Sequence, residues 1–282
     1  MKGQVAVIGA GTMGRGIAQV FAQSGYEVSL FDTFPAALES AGGQIGKMLD
    51  KAVEKGKLSA DDAAGAKKRL RIVKNPLDIG TCDLVVEAII EKLEAKIDLL
   101  KHAQKHVATD GILASNTSSI SITQLAAATD RPERFIGMHF FNPVPLMKLV
   151  EVVKGLQTSD ETVERTIALA TSVGKSPVQC KDSPGFVSNR VLMPMINEAI
   201  ACLHEGVAEP LAIDEIMKLG MAHPMGPLAL ADLIGLDVCL DILEVLHRDL
   251  GEDRYRPNPL LRTMVRAGRL GRKTKQGFYG YD

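Results

Sequence analysis

The chain has 282 residues, 46% hydrophobic and 24% charged, with a formal net charge of −1, a balance typical of a globular protein. The near-zero charge argues against a nucleic-acid partner, and the lack of an uninterrupted apolar run long enough to cross a bilayer argues against a membrane partner. The four cysteines are scattered without a CxxC pair, so we expect neither a metal site nor disulfides, and a cytoplasmic location.

Short apolar runs alternate with helical patterns through the first two thirds of the chain. Strands are predicted at residues 4–8, 27–31, 69–73, 82–89, 111–116, 134–141, 148–153 and 176–180. Helices are predicted near 14–25, 91–106, 121–129 and 160–173, with a helical hairpin at about 35–68. Continuous apolar strands separated by helices indicate an α/β fold with a doubly wound, mostly parallel sheet that is covered on both faces.

The pattern changes at "KDSPGF", residues 181–186. Beyond it the strand signals stop, and helices are predicted at about 185–206, 213–220, 226–250 and 259–268. Pro184 and Gly185 are suited to a hinge between domains. We therefore predict an α/β domain over residues 1–183 and an all-helical domain over 184–282.

A glycine-rich turn joins the first predicted strand to the first predicted helix. Its spacing, Gly9-x-Gly11-x-x-Gly14, is typical of dinucleotide-binding proteins: Gly9 allows the tight turn, Gly11 lets the backbone approach a pyrophosphate, and Gly14 lets helix and strand pack closely. The helix N-terminus offers free N–H groups to the anion. The alternative is a glycine-rich turn without a ligand. The residues of this loop that we predict to bind a cofactor are Gly9, Gly11, Thr12, Met13 and Gly14.

An acidic residue, Asp32, follows the second predicted strand, 18 residues after Gly14. A carboxylate at this distance from the glycine motif can bind the two hydroxyls of the adenosine ribose. The same charge would repel the 2′-phosphate of NADP, and the following segment "DTFPAALES" contains no lysine or arginine to compensate. The sequence therefore predicts NAD rather than NADP as the cofactor.

Two titratable residues interrupt neighbouring apolar strands: His139 and Glu151. The turn "NPVPL" lets the strands fold back on each other, and an antiparallel pairing around 144–145 would place position 139 opposite about 150, within reach of Glu151. A buried carboxylate is costly unless it is paired, and a histidine near a strand end can exchange the proton of an alcohol. The alternatives are a core histidine satisfied by the backbone and a purely structural ion pair.

Further polar candidates follow the strand at 111–116 and line the hairpin. Asn116, Ser118 and Ser119 would face the ligand crevice of a doubly wound sheet, although helix capping is the favoured explanation for Ser119. The hairpin carries a stripe of lysines spaced four apart, which either meets phosphates or is a solvated face; its members are Lys47, Lys51 and Lys55. After the hinge, Asn189 and Arg190 begin a helix that could close over the crevice.

Several long motifs resemble one known family. The segments "VIGAGTMGRGIAQ", "DLVVEAIIE", "ASNTSSISIT", "GMHFFNPVPLMKLVEVV", "DSPGFVSNR", "HPMGPLALADLIGLDVC" and "GRKTKQGFY" resemble the L-3-hydroxyacyl-CoA dehydrogenases, and are most similar to the bacterial 3-hydroxybutyryl-CoA dehydrogenases. The match covers essentially the whole chain. The resemblance implies a Rossmann-like domain with a protruding helical hairpin and a C-terminal helical domain that forms a homodimer. It also implies NAD-dependent reduction of acetoacetyl-CoA to (S)-3-hydroxybutyryl-CoA, and the reverse reaction.

The resemblance also implies roles for single residues. His139 would be the general base in oxidation and the acid in reduction, oriented by Glu151. Ser118 and Asn189 would bind the reacting oxygen or the thioester carbonyl. The residues implied to contact NAD are Glu91, Lys96, Asn142 and Lys273. Those implied to meet the phosphates of CoA are Lys51 and Lys55.

Two other functions remain open at this level. A dehydrogenase for a free hydroxy acid or sugar acid could share the two-domain plan, and the basic hairpin face argues for CoA instead. A non-catalytic NAD-binding protein would tolerate a damaged catalytic set, yet Ser118, His139, Glu151 and Asn189 are all present.

Overall fold

The computed structural model describes residues 2–282 and divides the chain into two compact units. The first runs to Asp182 and the second covers Ser183–Asp282. The division lies one residue before the predicted one, in the "DSPGF" segment, where Gly185 and Phe186 both have positive φ, 71° and 52°. A phenylalanine rarely adopts this conformation, so the turn is a specific feature of the chain and not a plain linker.

The first unit is built on one eight-stranded sheet. Its strands are β1 (Gln4–Ile8), β2 (Glu27–Phe31), β3 (Leu70–Val73), β4 (Cys82–Glu87), β5 (Val107–Ser115), β6 (Phe135–Phe140), β7 (Leu149–Lys154) and β8 (Ser176–Lys181). They lie in the order β3-β2-β1-β4-β5-β6-β7-β8, and only the β6–β7 pairing is antiparallel. The predicted mostly parallel, Rossmann-like sheet is thereby confirmed. The order reverses between β1 and β4, which is where such sheets bind ligands.

Helices of the first unit follow the strands. They are α1 (Thr12–Gln23), α2 (Pro35–Glu54), α3 (Ala60–Arg69), α4 (Leu93–Ala103), α5 (Ile122–Ala126) and α6 (Asp160–Ser172). The predicted hairpin is α2 and α3, and α2 buries Leu38, Ala41, Ile45 and Leu49 as one stripe. Strands β1 and β4 are apolar on both faces because helices cover both sides of the sheet.

The second unit is all helical, as predicted. Its α-helices are α7 (Ser188–His204), α8 (Pro210–Gly220), α9 (Pro227–Ile234), α10 (Leu236–Leu250) and α11 (Pro259–Arg266). The prediction of one helix over 226–250 is wrong, because Gly235 has a φ of 107° and separates α9 from α10. Such a backbone cannot continue a right-handed helix, and the sequence "LIGLD" reads as uninterrupted because an isolated glycine is tolerated in helices.

Two buried aspartates fasten the C-terminal segment to the helices of the second unit. Asp232, on α9, accepts hydrogen bonds from the backbone N–H groups of Phe278 and Tyr279, both 3.0 Å, and from the hydroxyl of Tyr281 at 2.9 Å. Asp214, on α8, accepts from two backbone N–H groups in the first turn of α9 and from the Tyr279 hydroxyl at 2.8 Å. These carboxylates are therefore satisfied without a cationic side chain among the contacts described.

Candidate active site

The loop between β1 and α1 requires glycine at two positions. Gly9 has a φ of +115°, and a Cβ there would lie 2.4 Å from the carbonyl oxygen of Ala88. At Gly14 a Cβ would lie 1.7 Å from the carbonyl oxygen of Gly9, so only glycine lets α1 pack this closely on β1. Gly11 differs, because a Cβ there would meet nothing within 4 Å. Its lack of a side chain keeps the space in front of the helix open.

The first turn of α1 fits a phosphate. The helix begins at Thr12 with Gly11 as its N-cap, and neither a capping side chain nor an acidic residue occupies its first turn. Both Gly11 and Thr12 are exposed, and Met13 is half-buried. Backbone N–H groups at a helix start, beside an open glycine, provide donors and a partial positive charge for a pyrophosphate. These residues therefore fit a dinucleotide.

Asp32 lies where the sequence predicts, immediately after β2. Its carboxylate accepts from the backbone N–H groups of Ala10, at 2.6 Å, and Phe34, at 2.8 Å. The guanidinium of Arg15 donates to the carbonyl oxygen of the same Ala10 at 2.6 Å. This cation was not predicted from the sequence, because Arg15 precedes Asp32 in the chain and returns to the loop from the first turn of α1.

His139 and Glu151 are brought together by the antiparallel pairing of β6 and β7. The observed register places His139 directly opposite Glu151, one position away from the predicted partner at about 150. The two side chains therefore point to the same face of the sheet, and Nδ1 of His139 lies 2.8 Å from Oε2 of Glu151. Both are buried, with 8% and 4% of their surface exposed.

This geometry defines the chemistry of the imidazole. The carboxylate can only accept, so the ring nitrogen Nδ1 carries a proton toward Glu151, and Nε2 is the nitrogen suited to exchange a proton with a substrate oxygen. The carboxylate also stabilises the imidazolium that forms when Nε2 takes up a proton. The ring of Phe141 packs against the imidazole with 4.5 Å between centroids and fixes it from the side.

A second cluster of charged side chains, centred on a buried lysine, lies at the carboxyl end of β4. Lys96 is completely buried, and its Nζ donates to Oε1 of Glu87 at 2.6 Å and lies 3.3 Å from Oε2 of Glu91. Glu87 also accepts from the hydroxyl of Ser115 at 2.6 Å. The sequence analysis missed Glu87, although a charged residue at the end of the apolar strand "CDLVVE" is the same signal that identified His139.

Glu91 anchors the loop that carries Ser118. Its Oε1 accepts from the Thr117 hydroxyl at 2.5 Å, from the Ser118 backbone N–H at 2.8 Å and from the Ser118 hydroxyl at 3.2 Å. Burial alone would raise the pKa of Glu91, but the Lys96 ammonium and these hydrogen bonds outweigh it and lower the pKa from its ordinary value. Lys96 thus stabilises the ionised form of Glu91, and the Lys96 side chain is itself buried.

Two asparagines frame the end of β6. The side-chain oxygen of Asn116 accepts from the backbone N–H of Phe140 at 2.9 Å, which ties the end of β5 to β6. Asn142 is exposed just beyond β6, and its peptide bond to Pro143 is cis. Ser119 is buried, and its N–H donates to Glu91 at 3.1 Å. The carboxyl ends of β4, β5 and β6 thus place Glu91, Ser118 and His139 along one edge of the sheet.

The remaining predicted site residues lie in the hairpin and in the second unit. Lys47 and Lys51 are exposed on α2, and Lys55 is exposed at its C-cap. Asn189 is buried in the first turn of α7, and the ammonium of Lys273 contacts the carboxylate of Asp237 at 2.5 Å. Roles for these residues toward substrate or cofactor stay predictions.

Residues 2–282 contain no group of three or more histidine, cysteine, aspartate or glutamate side chains arranged to hold a metal ion. Within the same range, every helix is too short or too polar to span a bilayer.

Family models and relatives match the chain over its full length. Residues 4–183 match the 3-hydroxyacyl-CoA dehydrogenase NAD binding domain, and residues 185–281 match the C-terminal domain of that family. A probable 3-hydroxybutyryl-CoA dehydrogenase of Deinococcus radiodurans is 60% identical over 98% of this chain and 99% of its own. The 3-hydroxybutyryl-CoA dehydrogenase of Clostridioides difficile is 49% identical over 99% of both chains.

A crystal structure adds the three-dimensional match. The (S)-3-hydroxybutyryl-CoA dehydrogenase PaaH1 from Ralstonia eutropha superposes with a TM-score of 0.95, at 50% identity and 99% coverage of both chains. Sequence, fold and domain models agree, and the NAD-binding domain that the sequence predicts is confirmed. The chain belongs to the 3-hydroxyacyl-CoA dehydrogenase family, whose members are NAD-dependent oxidoreductases acting on a CH–OH group.

Proposed function

We propose that this chain reversibly reduces acetoacetyl-CoA to (S)-3-hydroxybutyryl-CoA with NADH. The observation that carries the proposal is the buried His139–Glu151 pair, 2.8 Å apart, in a sheet whose first loop fits a dinucleotide. The names of the relatives at 49% and 60% identity support the short-chain substrate. NAD, when bound, supplies the acceptor or donor of the hydride.

His139 handles the proton that accompanies the hydride. In the oxidation direction Nε2 takes the proton of the 3-hydroxyl group, and in reduction it returns a proton to the 3-oxo oxygen. Glu151 holds the imidazole in the required tautomer and stabilises its charged form. General acid–base catalysis of this kind typically contributes ~10²–10⁴-fold.

Ser118 and Asn189 would position the acyl group. The Ser118 loop is held by ionised Glu91 through both its backbone N–H and its hydroxyl. A loop anchored by charge-assisted hydrogen bonds presents its side chain with little freedom, which favours a fixed orientation of the substrate. Asn189 adds an amide with both donor and acceptor atoms.

The exposed lysines of α2 supply the contact with CoA in this proposal. Steady-state oxidation of NADH with acetoacetyl-CoA should far exceed that with free acetoacetate, because only the CoA ester offers phosphates to Lys51 and Lys55. The double substitution Lys51→Gln and Lys55→Gln should raise KM for acetoacetyl-CoA and leave KM for NADH unchanged. Lys68→Gln, on the other helix of the hairpin, is the matched control. Equal turnover of the ester and the free acid would overturn the CoA assignment and favour a dehydrogenase of free hydroxy acids.

Asp32 is the basis of the proposed preference for NAD over NADP. Its carboxylate sits on the glycine loop through the N–H of Ala10. We expect Asp32→Ala to weaken NAD binding and to improve the use of NADP, since the charge that repels a 2′-phosphate is removed. The double variant Asp32→Ala with Arg15→Gln tests whether the Arg15 guanidinium, which contacts Ala10, contributes to the binding of NADP once Asp32 is removed. Unchanged discrimination in Asp32→Ala would show that another residue selects the cofactor.

The second unit supports a homodimer. It exposes many large apolar side chains, among them Val191, Val207, Leu211, Ile216, Leu219 and Met221. A groove of about 350 Å³ between α7 and α8 adds further apolar surface. Monomeric proteins rarely expose such surface in one region, so light scattering should give the mass of two chains. Replacing Ile216 and Leu219 with glutamate should give a monomer, whereas Leu156→Glu, at an exposed leucine of the first unit, should not. A monomeric wild type would contradict the proposal.

The cysteines support a cytoplasmic location. Cys82 and Cys239 are buried as thiols, and burial and nearby carboxylates raise the pKa of Cys239 to about 12. Free cysteines without a disulfide partner are usual in proteins of reducing compartments, where disulfides do not persist. Fractionation of the source cells checks this: activity in the periplasmic or secreted fraction would contradict it.

A further inference from the structure

One buried lysine lies outside the site described so far. Lys175 precedes β8 and has 8% of its surface exposed. Burial lowers the pKa of Lys175 from its ordinary value, and the described partners of its ammonium are backbone carbonyls instead of carboxylates. Placing an ammonium there costs free energy, and its contacts therefore call for an explanation.

Lys175 binds the segment that links the two strands of the catalytic pair. Its Nζ donates to the carbonyl oxygen of Val144, and to that of Met147 at 2.8 Å. Both acceptors belong to residues 142–147, here called the 142–147 turn, which begins just after the strand of His139 and ends before the strand of Glu151. A single ammonium thus bridges two carbonyls of this turn.

The other side of the 142–147 turn packs on the dinucleotide helix. Gly16, on α1, has no side chain, and a Cβ there would lie 2.7 Å from Cβ of Val144 and 3.6 Å from Cδ of Pro145. Because α1 starts in the glycine loop, this contact relates the turn directly to the cofactor-binding element. The turn is held between a lysine on one side and α1 on the other.

We propose that Lys175 is a positioning residue that presses the 142–147 turn against α1 and thereby sets the distance from His139 to the nicotinamide. The inference rests on the proposed dehydrogenase function. An ammonium suits this task because its three donors can bridge two carbonyls from one atom. A misplacement of reacting groups by about 1 Å can cost roughly 10²-fold in rate. A residue that holds the 142–147 turn can therefore change the rate of the chemical step without touching the substrate.

The test compares Lys175→Met, Lys175→Arg and the exposed surface control Lys105→Met in the full-length enzyme. Lys175→Met keeps an unbranched apolar side chain one atom shorter than that of lysine and removes all donors. We measure kcat for acetoacetyl-CoA reduction, KM for NADH, the primary isotope effect with NADH deuterated at the transferred hydride, and the thermal midpoint. For Lys175→Met we expect kcat to fall by about tenfold or more, and the isotope effect to rise because hydride transfer becomes limiting. Lys175→Arg should recover part of the rate.

A second variant tests the opposite side of the 142–147 turn. Gly16→Ala inserts a methyl group against Val144 and should produce the same rise in isotope effect even if Lys175→Met folds poorly. The proposal is overturned if Lys175→Met folds and has a lower thermal midpoint but keeps the wild-type kcat and isotope effect. If Lys175→Met does not fold, the same result for Gly16→Ala overturns the proposal. A wild-type enzyme without activity on acetoacetyl-CoA would refute the proposed function instead, so the two failures are distinguishable.

Discussion

The two units of this protein both bury carboxylates, but they satisfy them with different partners. In the first unit, the buried Glu87 and the exposed Glu91 contact the ammonium of Lys96, and the buried Glu151 contacts the imidazole of His139. In the second unit, Asp214 and Asp232 accept only from backbone N–H groups and tyrosine hydroxyls among the contacts described. Burial alone therefore does not separate a reactive carboxylate from a structural one.

The difference lies in what the partner can do. Backbone N–H groups do not titrate, and tyrosine hydroxyls titrate far above neutral pH. The aspartates of the second unit therefore have partners that stabilise the fold and exchange no proton near neutral pH. An imidazole exchanges its proton near neutral pH, so the carboxylate beside it can influence a reaction. A buried acid with a histidine partner at a strand end is thus the stronger indicator of a catalytic site.

The largest expected effect comes from removing the imidazole. His139→Gln should lower kcat by ~10²–10⁴-fold, because the proton no longer has a carrier of suitable pKa. The dissociation constant for NADH, measured by titration of the fluorescence of the reduced cofactor, should stay close to the wild-type value. His102→Gln, at an exposed histidine of α4, is the control. Near-normal turnover of His139→Gln would remove this residue from the mechanism.

A smaller effect, on stability instead of rate, is expected in the second unit. In Asp232→Asn one carboxylate oxygen becomes an N–H₂ donor, so the side chain no longer accepts from all three donors around it. The substitution should lower the free energy of unfolding by about 1–3 kcal/mol. Urea denaturation measures it, with the exposed Asp253→Asn as control. The folded variant should retain its kcat. A loss of kcat without a loss of stability would make Asp232 part of the active site and break the comparison.

The smallest effect at neutral pH is expected for Tyr281→Phe. Burial and the hydrogen bond to Asp232 raise the pKa of Tyr281 to about 12, from an ordinary value near 10. The folded state therefore favours the neutral phenol, so its stabilisation is fully present below pH ~10 and is lost as the pH rises toward about 12. Urea midpoints between pH 8 and 12 should fall less steeply for Tyr281→Phe than for the wild type. Part of the decline in the urea midpoint should remain in Tyr281→Phe, because the pKa of Tyr279 is also raised.

Much of the fold could be predicted from local patterns. All eight strands were predicted, and the central ones were visible as apolar runs because a parallel sheet covered on both faces needs apolar residues throughout. The edge strand β8, "SPVQCK", is largely exposed. The glycine loop and Asp32 could be located because their spacing follows from the geometry of a strand, a turn and a helix that meet a pyrophosphate. His139 could be identified because burying a polar residue within an apolar strand is costly, which indicates a specific role for it.

Features that depend on distant contacts were not visible. The register that pairs His139 with Glu151 differs by one position from the predicted one, since the turn length alone does not fix it. The break at Gly235 depends on its φ of 107°, which the sequence does not reveal. Glu87 and Lys175 find their partners through the tertiary fold, so their roles could not be read from neighbouring residues.

We propose that Glu151 acts on the reaction through His139, unlike the structural aspartates of the second unit. The most direct measurement is the single-turnover rate of NADH oxidation by acetoacetyl-CoA in Glu151→Gln, with the thermal midpoint measured on the same sample. We predict a rate about 10²-fold below that of the wild type, because the glutamine cannot stabilise the imidazolium, in a protein that still folds and binds NADH. A rate equal to that of the wild type in a folded variant would contradict the claim.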